Sequence, residues 1–206
     1  MSPEHSRIRA IAIWSGLIAA VGIPLAAAAT SPLLAWRDPV YILAAFFGVV
    51  GLALLLLQPL LIAGALPNVP RVTSRRLHRL TGVCLVAAVT LHVGGLWITS
   101  PPDMIDALLF ASPTLFSVWG VVAMWAVIFT ALLAARRRHL GWRRWRYAHV
   151  ALSVIVVAGT IAHALPIEGT MGQRSKIALC LLVGLATLAA LAKHVWPIRR
   201  SAPARS

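Results

Sequence analysis

Six apolar runs dominate the chain, and each is long enough to cross a lipid bilayer as an α-helix. They lie at about residues 8–29, 40–66, 80–98, 115–135, 149–165 and 177–195. A helix needs about 20 mainly apolar residues to cross the hydrocarbon core of a bilayer. The runs are continuous rather than alternating, which argues against a membrane β-barrel. The sequence therefore predicts an all-α integral membrane bundle of six transmembrane helices, which forms a single domain over residues 1–206.

Composition and charge exclude several other classes of protein. Hydrophobic residues make up 60% of the chain and charged residues 12%, whereas about 25% of the residues of a typical soluble domain are charged. The formal net charge of +14 would suit a nucleic-acid-binding protein, but such a protein has no need of apolar runs this long, and we expect no nucleic-acid partner. The five acidic residues all lie near the ends of the runs. They are too few for a hydrolase built on paired carboxylates, and no catalytic residue is predicted.

The basic residues predict an orientation for the six spans. If the amino terminus is cytoplasmic and the spans alternate, all 19 Lys and Arg residues except Arg37, Arg174 and Lys176 fall on the cytoplasmic side. Cytoplasmic loops of membrane proteins carry such an excess of positive charge. We therefore expect a multi-pass protein of a bacterial-type inner membrane with both termini in the cytoplasm. The first run, which follows Arg7 and Arg9 and ends in four alanines, also resembles a secretory signal, but we expect it to be retained as a span.

Four of the seven histidines are placed at equal spacings on the third and fifth spans. His78 and His92 are 14 residues apart, and so are His149 and His163. Fourteen residues of α-helix bring two side chains to the same face, roughly 21 Å apart along the axis. The third and fifth spans run in the same direction, so His78 lies at the depth of His149, and His92 lies at the depth of His163. Two facing imidazoles can ligate one iron from both sides, and the spacing therefore predicts two haem b groups stacked across the membrane.

Small residues lie about one turn from each histidine on the same helix faces. They are Gly82, Ala88, Ser153 and Gly159. Small side chains in these positions would leave room for a porphyrin beside its ligands, and we include Gly82 and Gly159 in the predicted haem site. Small residues are also common wherever membrane helices pack closely, so helix packing is an alternative explanation.

Arginines cluster near the cytoplasmic pair of histidines. They are Arg75, Arg76 and Arg79 around His78, and Arg143, Arg144 and Arg146 before His149. Haem propionates are anionic, and the guanidinium group binds carboxylates well. We therefore assign Arg79 and Arg146 to the haem site. The alternatives are that the arginines only set the topology, attract anionic lipids or dock an acidic reductase.

These motifs resemble the ferric reductase-like transmembrane domain. That family includes the ferric reductases, the membrane part of NADPH oxidases and the haem subunit of the bacterial periplasmic methionine-sulfoxide reductase system. Residues 76–82, Arg-Leu-His-Arg-Leu-Thr-Gly, are similar to the family's His-Arg-x-x-Gly motif, and the basic, Trp-bearing residues 140–149 are similar to its approach to the fifth span. The resemblance covers about residues 67–165. It implies a cytoplasmic-side haem on His78 and His149 and an outer haem on His92 and His163.

The resemblance implies a membrane cytochrome that relays electrons from a cytoplasmic donor to an acceptor at the outer face. The large reductases of the family continue into flavin and nicotinamide domains, which this sequence lacks. We therefore expect a separate donor reductase or quinol, with a flavin or quinone supplied by that partner, and a periplasmic protein as one candidate acceptor. One alternative is a single-haem subunit of a periplasmic oxidoreductase such as a methionine-sulfoxide reductase system, although members of that group often lack the histidine found here as His78. Another is a cofactor-free scaffold or transporter, for which the only support is the pair Gln58 and Pro59 deep in a span.

Overall fold

The computed structural model describes residues 3–200, and for residue 3 and residues 194–200 it describes only the backbone. Within this range the chain forms seven α-helices and no β-strand, which confirms the all-α prediction. The helices are α1 (Pro3–Ala29), α2 (Pro39–Ile62), α3 (Arg71–Thr99), α4 (Pro101–Leu108), α5 (Leu115–Ala135), α6 (Trp142–Ala164) and α7 (Gln173–Arg200). Of the basic residues assigned above to the cytoplasmic side, Arg205 lies outside the described residues.

Six of the seven helices are long and apolar enough to cross a membrane, as the sequence predicted. The exception is α4, which has 8 residues and joins α3 to α5. Two of the spans begin well before their apolar runs, because α3 starts at Arg71 and α6 starts at Trp142. Arginine side chains at the end of a span can extend their charged groups toward water while the stem lies along apolar surface. Because the two helices begin this early, His78 and His149 lie about two turns inside them rather than at their ends.

Helix α2 lies at the centre of the bundle and packs against α1, α3 and α7. Its start is fixed by Asp38, whose carboxylate accepts a hydrogen bond of 2.7 Å from the Val40 N–H, with Pro39 as the first helical residue. Both features are common at helix starts. The side chains of Leu52 and Leu56 are buried in the core that α2 shares with α5, α6 and α7.

Two helix pairs make the most extensive contacts in the structure: α2 with α3, and α5 with α6. Polar contacts fix the register of the first pair. Gln58 Nε2 donates to Thr81 Oγ1 at 2.8 Å, and the buried Ser74 hydroxyl donates to the Leu61 carbonyl at 2.5 Å. Near the other end, α2 approaches Gly95 so closely that a Cβ built there would lie 2.7 Å from the Ala44 Cβ. In each pair, one helix carries the histidines (α3 or α6), and the other (α2 or α5) packs closely against it.

Candidate functional site

The four histidines on α3 and α6 meet in two pairs. The ring centroids of His78 and His149 are 6.3 Å apart, and those of His92 and His163 are 6.5 Å apart. The interplanar angles are 77° and 73°. This is the pairing that equal depth on parallel helices predicts. We call His78 and His149 the basic-side pair, after the arginines nearby in the sequence, and His92 and His163 the far-side pair.

The centroid separations fit one metal ion between each pair of rings. A direct N–H···N hydrogen bond between facing imidazoles would bring the centroids to about 5 Å. A metal ion bonded at about 2 Å to one nitrogen of each ring would place them a little over 6 Å apart. Among the described residues no group of three or more His, Cys, Asp or Glu side chains could hold a metal ion. Each histidine pair can supply two ligands to a metal ion. Two ligands suit a metal whose other ligands belong to a bound group.

Backbone carbonyls hold the two imidazoles of the far-side pair in a defined orientation. His92 Nδ1 lies 2.8 Å from the Ala44 carbonyl of α2, and His163 Nδ1 lies 2.8 Å from the Phe116 carbonyl of α5. A carbonyl oxygen only accepts, so each Nδ1 carries the proton and donates it. In the neutral ring the lone pair is then on Nε2. Metal-ligating histidines in proteins commonly have this arrangement, which fixes the tautomer and raises the basicity of the ligand.

Two glycines allow these carbonyl contacts, and neither belongs to the haem site predicted from the sequence. Gly48 and Gly120 each lie one turn after the accepting carbonyl. A Cβ built on Gly48 would lie 3.0 Å from His92 Nδ1, and one built on Gly120 would lie 2.6 Å from His163 Nδ1. A signal was present in the sequence, because each glycine follows an aromatic residue and is followed by two valines. In addition, Gly48 precedes His92 by 44 residues and Gly120 precedes His163 by 43.

The basic-side pair and the neighbouring Trp145 contain polar atoms without partners. Three buried side-chain nitrogens have no hydrogen-bond partner within the described part of the chain: His78 Nδ1, His149 Nδ1 and Trp145 Nε1. Trp145 stacks on His149, with ring centroids 5.2 Å apart and planes inclined by 12°. Buried polar groups nearly always have partners, so these three atoms fit a site that holds a bound group or ordered water beside the basic-side pair.

The remaining predicted residues lie in different environments. Arg79 is exposed, whereas Arg146 is partly buried. Gly82 faces the side chain of Gln58 at 3.9 Å from a built Cβ. A Cβ on Gly159 would instead lie 3.2 Å from the Ala123 Cβ of α5. Gly159 therefore allows α6 to pack closely on α5, and room beside a porphyrin stays a prediction for Gly82.

The sequence profile of one family, described as the ferric reductase like transmembrane component, matches residues 47–160, which is more than half of the chain. The chain belongs to this family. Ferric reductase-like domains generally bind haem and serve as membrane components of electron transfer. The match includes three of the four paired histidines, and His163 lies three residues beyond its end. No curated protein and no solved structure matches the chain.

Proposed function

We propose that this ferric reductase-like protein carries electrons across the membrane through two haem b groups, each held between α3 and α6 by one histidine pair. The observation that carries the proposal is the matched geometry of the pairs, with centroid separations of 6.3 and 6.5 Å. The 14 residues between the histidines of each helix separate the two sites by roughly 21 Å, so both sites fit within one bilayer. The haem iron supplies one-electron redox chemistry, and the protein supplies the axial ligands and a dry environment.

The chain's own residues have three tasks in this proposal. The carbonyls of Ala44 and Phe116 hold the far-side imidazoles with Nε2 available as a ligand. Arg79 and Arg146 lie next to the basic-side pair in the sequence, as cations that pair with anionic propionates. The apolar side chains of α2, α5 and α6 contribute to a buried core, and we expect this core to keep water away from the pairs, which favours electron transfer over reaction with solvent.

The distribution of charge supports an orientation in which the basic side is cytoplasmic. With six spans, both termini then lie in the cytoplasm, and electrons move outward from the basic-side pair to the far-side pair. A separate reductase or quinol on the cytoplasmic side supplies them. The acceptor at the outer face is ferric iron, oxygen or a periplasmic protein, and a bacterial inner membrane is the location we infer.

Haem content tests the proposal directly. The full chain, expressed with added haem and purified in lipid nanodiscs, should show b-type absorption bands and about two haems per chain. Changing His78 or His149 to leucine should remove about one haem, and so should changing His92 or His163. His139, exposed on the short 3₁₀ helix Arg137–His139, provides the matched control, and His139→Leu should keep both haems. Wild-type protein without haem bands after expression with added haem would refute the proposal in favour of a cofactor-free bundle.

A second candidate is a single haem on the far-side pair, serving a periplasmic oxidoreductase. One observation favours it: of the four paired imidazoles, the two at the far side donate hydrogen bonds to carbonyls, whereas the Nδ1 atoms of the basic-side pair have no partner among the described residues. The same variants separate the two candidates. If His78→Leu and His149→Leu retain all the haem of the wild-type protein, and His92→Leu and His163→Leu lose it, the single-haem function is correct.

A further inference from the structure

A stack of three aromatic rings connects the basic-side pair to the surface of the bundle. Trp142 stacks on Trp145 with ring centroids 5.3 Å apart and planes inclined by 26°, and Trp145 stacks in turn on His149 at 5.2 Å and 12°. The three residues lie on one face of the first two turns of α6. Trp142 is 68% exposed, while the indole nitrogen of Trp145 is buried. The stack therefore leads from solvent to a predicted haem ligand without a gap between the rings.

The surface around the exposed end of the stack is positively charged. Arg143 and Arg144 directly follow Trp142 in the chain, and both are exposed. They lie in the first turn of α6, which has no acidic residue and whose N-cap, Gly141, offers no side-chain hydrogen bond. The amino end of a helix already carries partial positive charge, so cations there are unfavourable by themselves. An anionic partner would offset both the arginine charges and the unpaired N–H groups.

A tryptophan at the end of a membrane span has a common alternative role as an anchor in the lipid headgroup region. A second exposed aromatic stack, near the middle of the α5 span, provides a comparison. On α5, Trp125 stacks on Phe129 with centroids 6.0 Å apart, and Trp125 is 45% exposed. Among the described residues, no ring contact extends from that stack to a histidine. The stack on α6 differs in that it ends on His149 and begins at Trp142, which is followed by two exposed arginines.

We propose that Trp142 and Trp145 form the site where electrons reach the basic-side pair, and that Arg143 and Arg144 dock an acidic protein that presents a reduced flavin. This inference rests on the proposed function, because it assumes that the pair binds haem. Electron tunnelling falls off exponentially with distance, and the stacked rings replace empty space between a docked donor and His149. A flavin is planar, stacks on indole and releases its electrons one at a time. One reduced flavin gives up two electrons and its protons go to water, while two irons each pass from ferric to ferrous.

Binding of an acidic flavodoxin provides a test that does not depend on turnover. The full-length protein in zwitterionic lipid nanodiscs would be titrated with flavodoxin, and the Kd would be measured from the change in flavin fluorescence at several salt concentrations. We expect Trp142→Leu to weaken binding about tenfold. The double variant Arg143→Gln, Arg144→Gln should weaken it by a similar factor and flatten the salt dependence. Trp125→Leu is the matched control and should bind like the wild-type protein.

A second measurement follows the reduction of haem by photoreduced flavodoxin. Trp142→Leu should slow it about tenfold, in step with the weaker binding, whereas reduction by dithionite and the haem spectrum should not change. The inference is wrong if Trp142→Leu matches Trp125→Leu in both Kd and rate. It is also wrong if the arginine variant keeps the wild-type salt dependence, which would assign these arginines to lipid headgroups. In both cases an intact two-haem spectrum leaves the proposed function standing, whereas absence of haem from the wild-type protein removes both.

Discussion

Replacing Gly120 with alanine should displace the imidazole of His163 and weaken haem binding at the far-side pair. The added Cβ would lie 2.6 Å from Nδ1, 2.8 Å from Cε1 and 3.2 Å from Cγ of that ring. Non-bonded heavy atoms are at their optimal separation at about 3.5 Å, so the ring must retreat by about 1 Å. Phe116 lies on α5, the helix of Gly120, and the α5 backbone fixes its carbonyl oxygen. This oxygen therefore cannot follow the ring.

The retreat of the ring breaks the hydrogen bond that orients it. A shift of about 1 Å away from the carbonyl lengthens the 2.8 Å contact between His163 Nδ1 and the Phe116 oxygen beyond the roughly 3.2 Å limit of a normal N–H···O bond. A buried N–H without an acceptor costs about 1–3 kcal/mol. Loss of such a supporting contact typically lowers metal affinity by about 10–100-fold. We therefore expect Gly120→Ala to reduce the haem affinity of the far-side pair by about one to two orders of magnitude.

The assay is haem content and affinity, measured by absorption titration of the nanodisc-embedded protein. Gly48→Ala should have a smaller effect of the same sign, because its Cβ would lie 3.0 Å from His92 Nδ1. Gly94→Ala provides the control, since a Cβ there meets nothing within 4 Å and alanine is the better helix former by about 1 kcal/mol. Circular dichroism should show an intact helical bundle in all three variants. The reasoning is refuted if Gly120→Ala binds two haems with wild-type affinity.

Three further predictions concern stability and redox potential. Gly95→Ala should lower the free energy of unfolding by about 1–3 kcal/mol, seen as a lower Tm, because its Cβ would lie 2.7 Å from the Ala44 Cβ; an unchanged Tm would contradict this. Ser74→Ala removes the buried hydrogen bond to the Leu61 carbonyl and should cost about 1 kcal/mol, whereas Thr90→Ala, whose hydroxyl bonds only within its own exposed helix turn, should be near neutral. In a redox titration the far-side haem should have the lower potential, because hydrogen-bonded imidazoles are more basic ligands that stabilise ferric iron; the reverse order would contradict this.

Most of the fold could be predicted from the sequence because the bilayer restricts what an apolar run can become. A continuous run of about 20 residues has few alternatives to a spanning helix, and all six appear as helices. The positions where helices begin were less predictable. Arg71 and the arginine-rich segment Trp142–Arg146 lie outside the apolar runs, yet they belong to α3 and α6. The reason is that hydrogen bonding within a helix continues beyond the hydrocarbon core.

In the candidate site, the features that depend on a single helix could be predicted from the sequence, whereas those that depend on contacts between helices could not. The pairing of His78 with His149 and of His92 with His163 could be predicted because it depends only on helix periodicity and span direction. The carbonyl acceptors on α2 and α5 could not, because they depend on how closely two helices approach. In the sequence, only the matching positions of Gly120 on α5 and Gly48 on α2 indicated these close approaches.

The two helix pairs make the same kind of contact to their histidines at the far side but differ at the basic side. At the far side, α2 and α5 each offer a carbonyl to a histidine, with a glycine one turn later. Four residues before the basic-side histidines, α3 has Ser74, bonded to the α2 backbone, whereas α6 has Trp145, stacked on His149. Seven residues before them stand Arg71 and the exposed Trp142. Only α6 thus offers an aromatic route from the surface, so an electron donor has reason to dock at the start of α6 rather than at the start of α3.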